Sequence, residues 1–304
     1  APVEAPVKEE FKLSPEEMQA ILKLREARTE SILTSEGGGD RNQAIYGFRG
    51  ADSRSMERLQ KAFDCKRLPL TVSYRCPKVV VQFAKVLVPD FEAAPTAPDG
   101  TYLVCNTGEM LRRAQPGDFI LSRLNAPLLP VCVDLVREGK HARVEGRDIG
   151  QVLSNLIRRL ARLTDGDDSV EALLDAADSW SESALARAKD EHRASAIRDQ
   201  AYCVKALAED MGSVPELLTR IDTLFVDTLG ASDTIMCSTV HKAKGLEAKR
   251  VFILVDSFCG HWSAQGVSEE SNIKYVAITR AQSELVWVNP TAKSRLPIPE
   301  EKKP

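Results

Sequence analysis

Positively charged side chains stand beside a glycine directly after a strand-like segment, in residues 239–247 (TVHKAKGLE). Two lysines and Gly245 in this arrangement bring positive charge and backbone N–H groups to a phosphate. Arg75 lies between another strand-like segment and a helix that begins near Pro77, in a turn from which a side chain can reach a neighbouring domain. The sequence shows no carboxylate pair and no Ser/His/Asp set that predicts hydrolytic chemistry carried by this chain alone.

The composition is typical of a soluble globular protein. With 304 residues, 43% of them hydrophobic and 28% charged, the chain is long enough for one large domain or two ordinary ones. The net charge of −3 argues against a broad basic surface for nucleic acid, although aromatic stacking with a few local phosphate contacts needs no such surface. No apolar run is long enough to span a membrane, and residues 1–6 lack the pattern of a signal peptide.

The seven cysteines form no C-x-x-C pair, which is typical of a reduced chain in the cytoplasm. Cys259 and His261 could supply two zinc ligands, but a zinc site needs two more. We therefore predict no metal site and no membrane partner.

Strand-like and helical patterns alternate along most of the chain. The predicted strands are 68–72, 101–105, 118–122, 141–145, 235–239, 251–256 and 284–288, and the predicted helices are 14–32, 52–63, 76–88, 128–138 and 148–163. This alternation predicts a parallel α/β sheet covered by helices on both faces. Residues 164–226 contain no convincing strand and are rich in Ala, Leu, Asp, Glu and Arg, which predicts a helical segment inserted between strands.

Four segments resemble the motifs of one enzyme family, in that family's order. Residues 39–51 (GDRNQAIYGFRGA), 73–76 (SYRC), 239–247 (TVHKAKGLE) and 275–281 (YVAITRA) resemble the third, fourth, fifth and sixth motifs of superfamily 1 DNA helicases of the UvrD/Rep type. The chain contains neither a G-x-x-x-x-G-K-[ST] loop nor a D-E-x-x-D strand end. The resemblance therefore implies the second RecA-like domain of such a helicase: a parallel sheet with flanking helices and a small inserted all-helical subdomain.

The resemblance also implies a domain organisation. Residues 1–38 would hold a disordered start, a helix and a glycine linker, 39–163 and 233–290 the two parts of the RecA-like domain, 164–232 the helical insert, and 291–304 a tail. In the family a buried strand precedes the third motif, but residues 31–38 here are polar. The glycines at 37–39 therefore suggest that a short connection replaces the first RecA-like domain. A natural glycine turn is the alternative.

Three residues are implied to act on the γ-phosphate of ATP, whose charge must be met by cations from outside the phosphate loop. By resemblance Arg280 is the arginine finger, Arg75 is a second γ-phosphate contact, and Gln43 senses the γ-phosphate. We expect Arg280 to lie a few residues into a helix. The alternative for Arg280 is an ordinary surface arginine, and the alternative for Arg75 is a salt bridge beside a buried tyrosine.

The implied cofactor is ATP with Mg²⁺, bound between this domain and the missing N-terminal RecA-like domain. By resemblance Tyr74 stacks on the adenine ring, Gly245 approaches the nucleotide phosphates, and Glu247 contacts the ribose.

Single-stranded or partly duplex DNA is the implied partner. Phe48, with Tyr46 nearby, is the best candidate for a base platform, because an aromatic face stacks on any base. By resemblance Thr239 and His241 face the DNA strand, and Arg123 is a possible phosphate contact. A core position is the alternative for either aromatic residue, and a structural role is the alternative for His241.

The implied function is that of the C-terminal motor domain of an ATP-dependent 3′–5′ DNA helicase, located in the cytoplasm or with the nucleoid and inactive alone. The alternative is a helicase-like scaffold module that binds DNA or protein without turnover. The presence of Arg280, Arg75 and Gln43 favours the enzyme. The absent phosphate loop argues against turnover by this chain alone.

Overall fold

The computed structural model describes residues 41–43, 45, 71–226, 233–258 and 269–289. Several sequence predictions lie outside these residues: the N-terminal helix, the glycine linker, the helix at 52–63, the tail, and the aromatic residues Tyr46 and Phe48.

Nine strands occur in the described residues: β1 (Val72–Ser73), β2 (Glu92–Ala93), β3 (Thr101–Cys105), β4 (Phe119–Ser122), β5 (Ala142–Glu145), β6 (Phe225–Val226), β7 (Ile235–Thr239), β8 (Ala248–Leu254) and β9 (Ala281–Val288). Strands β3 to β9 form one sheet in the order β3-β9-β8-β4-β7-β5-β6, and β1 pairs only with β2 among the described strands. Every pairing between these strands is parallel. The predicted parallel α/β sheet is therefore confirmed.

The helices of the described residues are α1 (Lys78–Lys85), α2 (Thr107–Arg113), α3 (Leu128–Arg137), α4 (Arg147–Ala161), α5 (Val170–Leu185), α6 (Glu191–Ala208), α7 (Val214–Leu224), α8 (Val240–Ala243) and α9 (Glu269–Ile278). Short 3-10 turns occupy Arg41–Gln43 and Val255–Ser257. Of the helices in the described residues, none is long and apolar enough to cross a membrane.

Helices cover both faces of the sheet. Alternate side chains of its central strands point to opposite faces, and because both sets are apolar, both faces are buried under helices. On one face, Ile120 and Phe252 pack with apolar residues of α2 to α7. On the other face, Leu121 and Ile253 pack with apolar residues of α1, α8 and α9. Ile45, one of the described residues of the third-motif segment, is fully buried in this second cluster.

The helical insert shares its core with the sheet. Leu173 of α5, Val204 of α6 and Leu217 of α7 belong to the same buried cluster as Ile120 of β4. The described part of the insert therefore forms a further layer of the domain and has no separate core. It ends in the short strand β6, which the sequence did not predict, and which pairs with β5 at the edge of the sheet.

Candidate functional site

Three motif-like segments converge at the amino ends of β8 and β9. Glu247 directly precedes β8, and Arg280 directly precedes β9. Arg75 follows β1 and reaches the same place, where its Nε lies 3.4 Å from Oε2 of Glu247. The thiol of Cys76 points to the carbonyl of Thr279 at 3.8 Å, which fixes the turn after β1 against the segment that carries Arg280.

Arg280 is buried, with 1% of its surface exposed. Its Nε donates to the carbonyl of Val276 at 3.0 Å, its Nη1 donates to the carbonyl of Leu246 at 3.0 Å, and its Nη2 donates to the hydroxyl of Thr279 at 3.2 Å. Burial, with the charge of Arg75 as a second cause, lowers the pKa of Arg280 to about 10, so the guanidinium is still positively charged at neutral pH.

The expected helical position of Arg280 is wrong, because α9 ends at Ile278. The alternative of an ordinary surface arginine is also wrong, because the residue is buried. The hydroxyl of Thr279 donates back to the carbonyls of Tyr275 and Val276, which closes the last turn of the helix. Strand β9 then begins at Ala281, so Arg280 occupies the connection between the two elements.

Arg75 and Tyr74 are open to solvent. The side chain of Arg75 is 41% exposed, and Tyr74 is 82% exposed. The alternative of a buried tyrosine beside a salt-bridged arginine is therefore wrong for Tyr74, although Arg75 does pair with Glu247. Arg280, in contrast, is buried. The cluster therefore contains one accessible cation, Arg75, and one enclosed cation, Arg280.

The segment between α8 and β8 carries Lys244 and Gly245. Gly245 has a φ of +91°, a backbone conformation that L side chains rarely adopt, while no atom lies within 4 Å of an added Cβ. The glycine is needed for the backbone turn. Lys244 Nζ donates to the carbonyl of Gln43 at 2.7 Å, which ties the third-motif segment to this loop.

Thr239, His241 and Arg123 lie in a different part of the domain. Thr239 ends β7 and is paired in register with Ser122, which ends β4, and Arg123 follows directly. Because the strands are parallel, their carboxyl ends lie at the opposite end of the sheet from Glu247 and Arg280. His241 is half-buried in α8.

Arg123 is engaged within the protein. Its Nε donates to Oε2 of Glu270 in α9 at 3.0 Å, and the two side chains are only about a quarter exposed, at 26% and 24%. No local sequence pattern points to Glu270, since the pair joins residues 147 positions apart. A phosphate contact by Arg123 therefore competes with this ion pair.

No group of three or more His, Cys, Asp or Glu side chains able to hold a metal ion occurs in the described residues. Cys259 and His261, the two zinc-ligand candidates, lie outside them.

A parallel sheet with helices on both faces, and with the fourth-, fifth- and sixth-motif segments and the described residues of the third packed beside it, defines the chain as a RecA-like domain. The family model of the UvrD-like helicase C-terminal domain matches residues 131–289, just over half of the chain. The chain belongs to this family. The match contains the fifth- and sixth-motif segments and the helical insert, and the other two motif-like segments precede it. Helicases of this kind are ATP-dependent enzymes that act on DNA and that also have an N-terminal motor domain.

Proposed function

We propose that this chain is the C-terminal motor domain of an ATP-dependent 3′–5′ DNA helicase or translocase and is inactive without an N-terminal RecA-like domain. The observation that carries the proposal is the convergence of Arg75, Arg280 and Glu247. The polarity rests on the resemblance to UvrD/Rep-type helicases. The cytoplasm, or the nucleoid within it, is the location that this function implies.

The charge balance of the cluster suits a phosphate. Two guanidinium groups lie beside one carboxylate, and Arg280 is shielded from water, where its charge acts more strongly on a nearby anion. Arg280 as arginine finger and Arg75 as second contact would neutralise charge that develops on the γ-phosphate. Three of the five N–H groups of Arg280 donate to protein acceptors, so one N–H on Nη1 and one on Nη2 are left for a phosphate oxygen.

The remaining nucleotide contacts fit the geometry to different degrees. Tyr74 is exposed and available to stack on adenine. Gly245 allows close approach of the backbone, as a phosphate contact requires. Glu247 pairs with Arg75 at 3.4 Å, so a contact to the ribose would share its carboxylate with that arginine.

The proposed cofactor is ATP with Mg²⁺. Arg75 and Arg280 would hold the phosphate oxygens, while the Mg²⁺ would neutralise further phosphate charge. Arginine is not a magnesium ligand, so the ligands of the ion are expected from the N-terminal domain. The backbone carbonyl of Gln43 accepts from Lys244, so Gln43 lies beside the loop before β8. As γ-phosphate sensor, Gln43 would face the N-terminal domain from this position.

The proposed DNA contacts lie at the carboxyl ends of β4 and β7. There Thr239, His241 and Arg123 would face a single-stranded or partly duplex DNA. Phe48 and Tyr46 as stacking residues remain part of this proposal on the resemblance alone. The second candidate is a scaffold module that binds DNA or protein without turnover. The burial of Arg280, together with a lack of ATP hydrolysis, would favour this candidate.

The test is DNA-stimulated ATP hydrolysis by this chain, measured alone and after addition of an N-terminal RecA-like domain with a phosphate loop from the same gene. The proposal expects no hydrolysis from the chain alone and hydrolysis from the mixture. Hydrolysis by the chain alone would reveal a phosphate site of its own and refute the division of labour. Silence of the mixture, with both partners folded and bound to each other, would favour the scaffold.

A further inference from the structure

The turn after β4, residues 122–126, is held by side chains at its N–H groups, while the carbonyls of Asn125 and Ala126 accept from the backbone of α3. Four consecutive backbone N–H groups donate to side-chain oxygens. The N–H of Arg123 donates to Ser257 Oγ at 3.0 Å and the N–H of Leu124 to Ser122 Oγ at 3.2 Å, and the N–H groups of Asn125 and Ala126 donate to Asp199 at 3.2 and 2.9 Å. The conformation of this turn therefore depends on residues outside it.

Asp199 holds the second half of the turn by itself. Its Oδ1 accepts from the N–H of Ala126, and its Oδ2 accepts both from the N–H of Asn125 and from Asn125 Nδ2 at 3.0 Å. The residue is 9% exposed. A partly buried carboxylate that accepts three hydrogen bonds is a strong anchor, because hydrogen bonds to an ionised group are shorter and stronger than neutral ones.

Asp199 belongs to α6, in the helical insert, and lies 73 and 74 positions along the chain from its partners. Two side chains from outside the turn hold it near Arg123. Ser257 accepts from the N–H of Arg123 itself, and Asp199 accepts from the N–H of Asn125, two residues later. The insert thus reaches the carboxyl end of the sheet through one carboxylate and holds Asn125 and Ala126, which lie two and three residues after Arg123.

We propose that Asp199 is a positioning residue through which the helical insert holds the Arg123 turn in place, so that Arg123 can exchange Glu270 for a DNA phosphate. This inference rests on the proposed DNA contact of Arg123. It gives the insert a function at the DNA site even though Asp199, as an anion, would itself repel DNA.

The test uses the whole chain and a fluorescent oligothymidylate, with binding followed by fluorescence anisotropy over a series of salt concentrations. Asp199→Asn removes one acceptor and places an NH₂ group against a backbone N–H. We expect affinity to fall roughly tenfold, as for the loss of one charge-assisted hydrogen bond. The slope of log K against log salt should shrink by about 0.7, the value for one phosphate contact on a single strand. Arg123→Gln should give the same loss, and the double variant should lose no more than either.

Asp178→Asn is the matched control. It removes the same charge from the same insert, where Asp178 pairs with Lys205 in an exposed ion pair. Loss of a negative charge alone raises affinity for DNA, so this control should bind equally or more tightly. We therefore expect Asp199→Asn to lower the affinity for DNA, and Asp178→Asn to raise it or leave it unchanged.

Thermal unfolding by circular dichroism accompanies each titration. Asn125→Ala provides a milder change, since of the three hydrogen bonds to Asp199 it removes only the one from Nδ2. It should weaken binding, as Asp199→Asn does.

If Arg123→Gln weakens binding while both Asp199→Asn and Asn125→Ala lower only the melting temperature, the positioning role is refuted and the DNA contact stands. If the parent chain binds and Arg123→Gln changes nothing, Asp199 cannot act through Arg123 and the inference fails. If the parent chain does not bind, the DNA site and the inference fail together.

Discussion

Replacement of Arg280 should damage both stability and turnover, because the same side chain is buried and positioned beside the proposed phosphate site. Arg280→Ala leaves the carbonyl of Leu246 without the donor it has now, while the carbonyl of Val276 keeps its hydrogen bond from the Thr279 hydroxyl. One unsatisfied buried group costs about 1–3 kcal/mol. Removal of a desolvated charge offsets part of this, so we expect a net loss of about 1–2 kcal/mol in the free energy of unfolding.

Urea denaturation of this chain measures that loss. Arg198→Ala is the control, because Arg198 makes an exposed ion pair with Glu191 at 2.7 Å, and such a pair contributes under about 1 kcal/mol. Arg280→Lys keeps the charge and can satisfy one carbonyl, so it should recover part of the stability but not the planar, multi-donor contact that a phosphate needs.

Turnover is measured with the chain reconstituted with its N-terminal domain. Loss of an arginine finger lowers kcat by roughly 10³–10⁵, and both Arg280→Ala and Arg280→Lys should fall in or near that range while ATP binding changes much less. Turnover within about threefold of wild type in a folded Arg280→Ala protein would refute the finger assignment. A change in unfolding free energy no larger than that of Arg198→Ala would refute the enclosed, hydrogen-bonded position of the side chain.

Three further predictions concern single positions. Gly245→Ala should lower the free energy of unfolding by about 1 kcal/mol in urea denaturation, because the φ of +91° strains any L side chain although space is available, and Gly245→Asn should cost less. Tyr74→Ala should leave stability unchanged, since Tyr74 is 82% exposed, and should raise the KM for ATP several-fold in the reconstituted enzyme; an unchanged KM would remove it from the adenine site. Burial raises the pKa of Cys105 from its ordinary value of 9.0 to about 11, so its thiol stays protonated in the folded chain while it ionises in the unfolded chain. Stability should therefore be lost as pH rises from about 9 to about 11, and Cys105→Ala should show a shallower loss in denaturation series across that range. Equal slopes for both proteins would contradict it.

Apolar runs predicted the bounds of two strands that differ in burial. All five residues of Ile235–Thr239 are buried. Within Thr101–Cys105 only Cys105 is buried, and the run of apolar residues was still sufficient to predict the strand. Helix α2 was missed because Met110 is its one buried side chain, so it has no apolar periodicity to recognise. Strand β6 has two residues and exists through its pairing with β5, which no local pattern announces.

The candidate site was also predicted only in part. The motif resemblance implied that Arg75, Glu247 and Arg280 share one nucleotide site, and in the structure these three residues lie in one cluster. It could not show that Arg280 is enclosed, because the acceptors Leu246 and Val276 are backbone carbonyls, which carry no sequence signature. Glu270 and Asp199 were missed for a related reason, since each meets its partner across more than 70 positions of the chain.

Helix α9 joins the two ends of the candidate site. Glu270 near its start pairs with Arg123 at the carboxyl end of the sheet, and Arg280 follows its last turn at the amino end. Residues 271–278 are all buried, so this ten-residue helix, about 15 Å long, cannot bend to absorb a displacement at either end. A phosphate bound by Arg280 and a DNA phosphate that draws Arg123 from Glu270 would therefore act on opposite ends of one rigid element. In the proposed motor domain, α9 would be the element whose position depends both on the nucleotide and on the DNA.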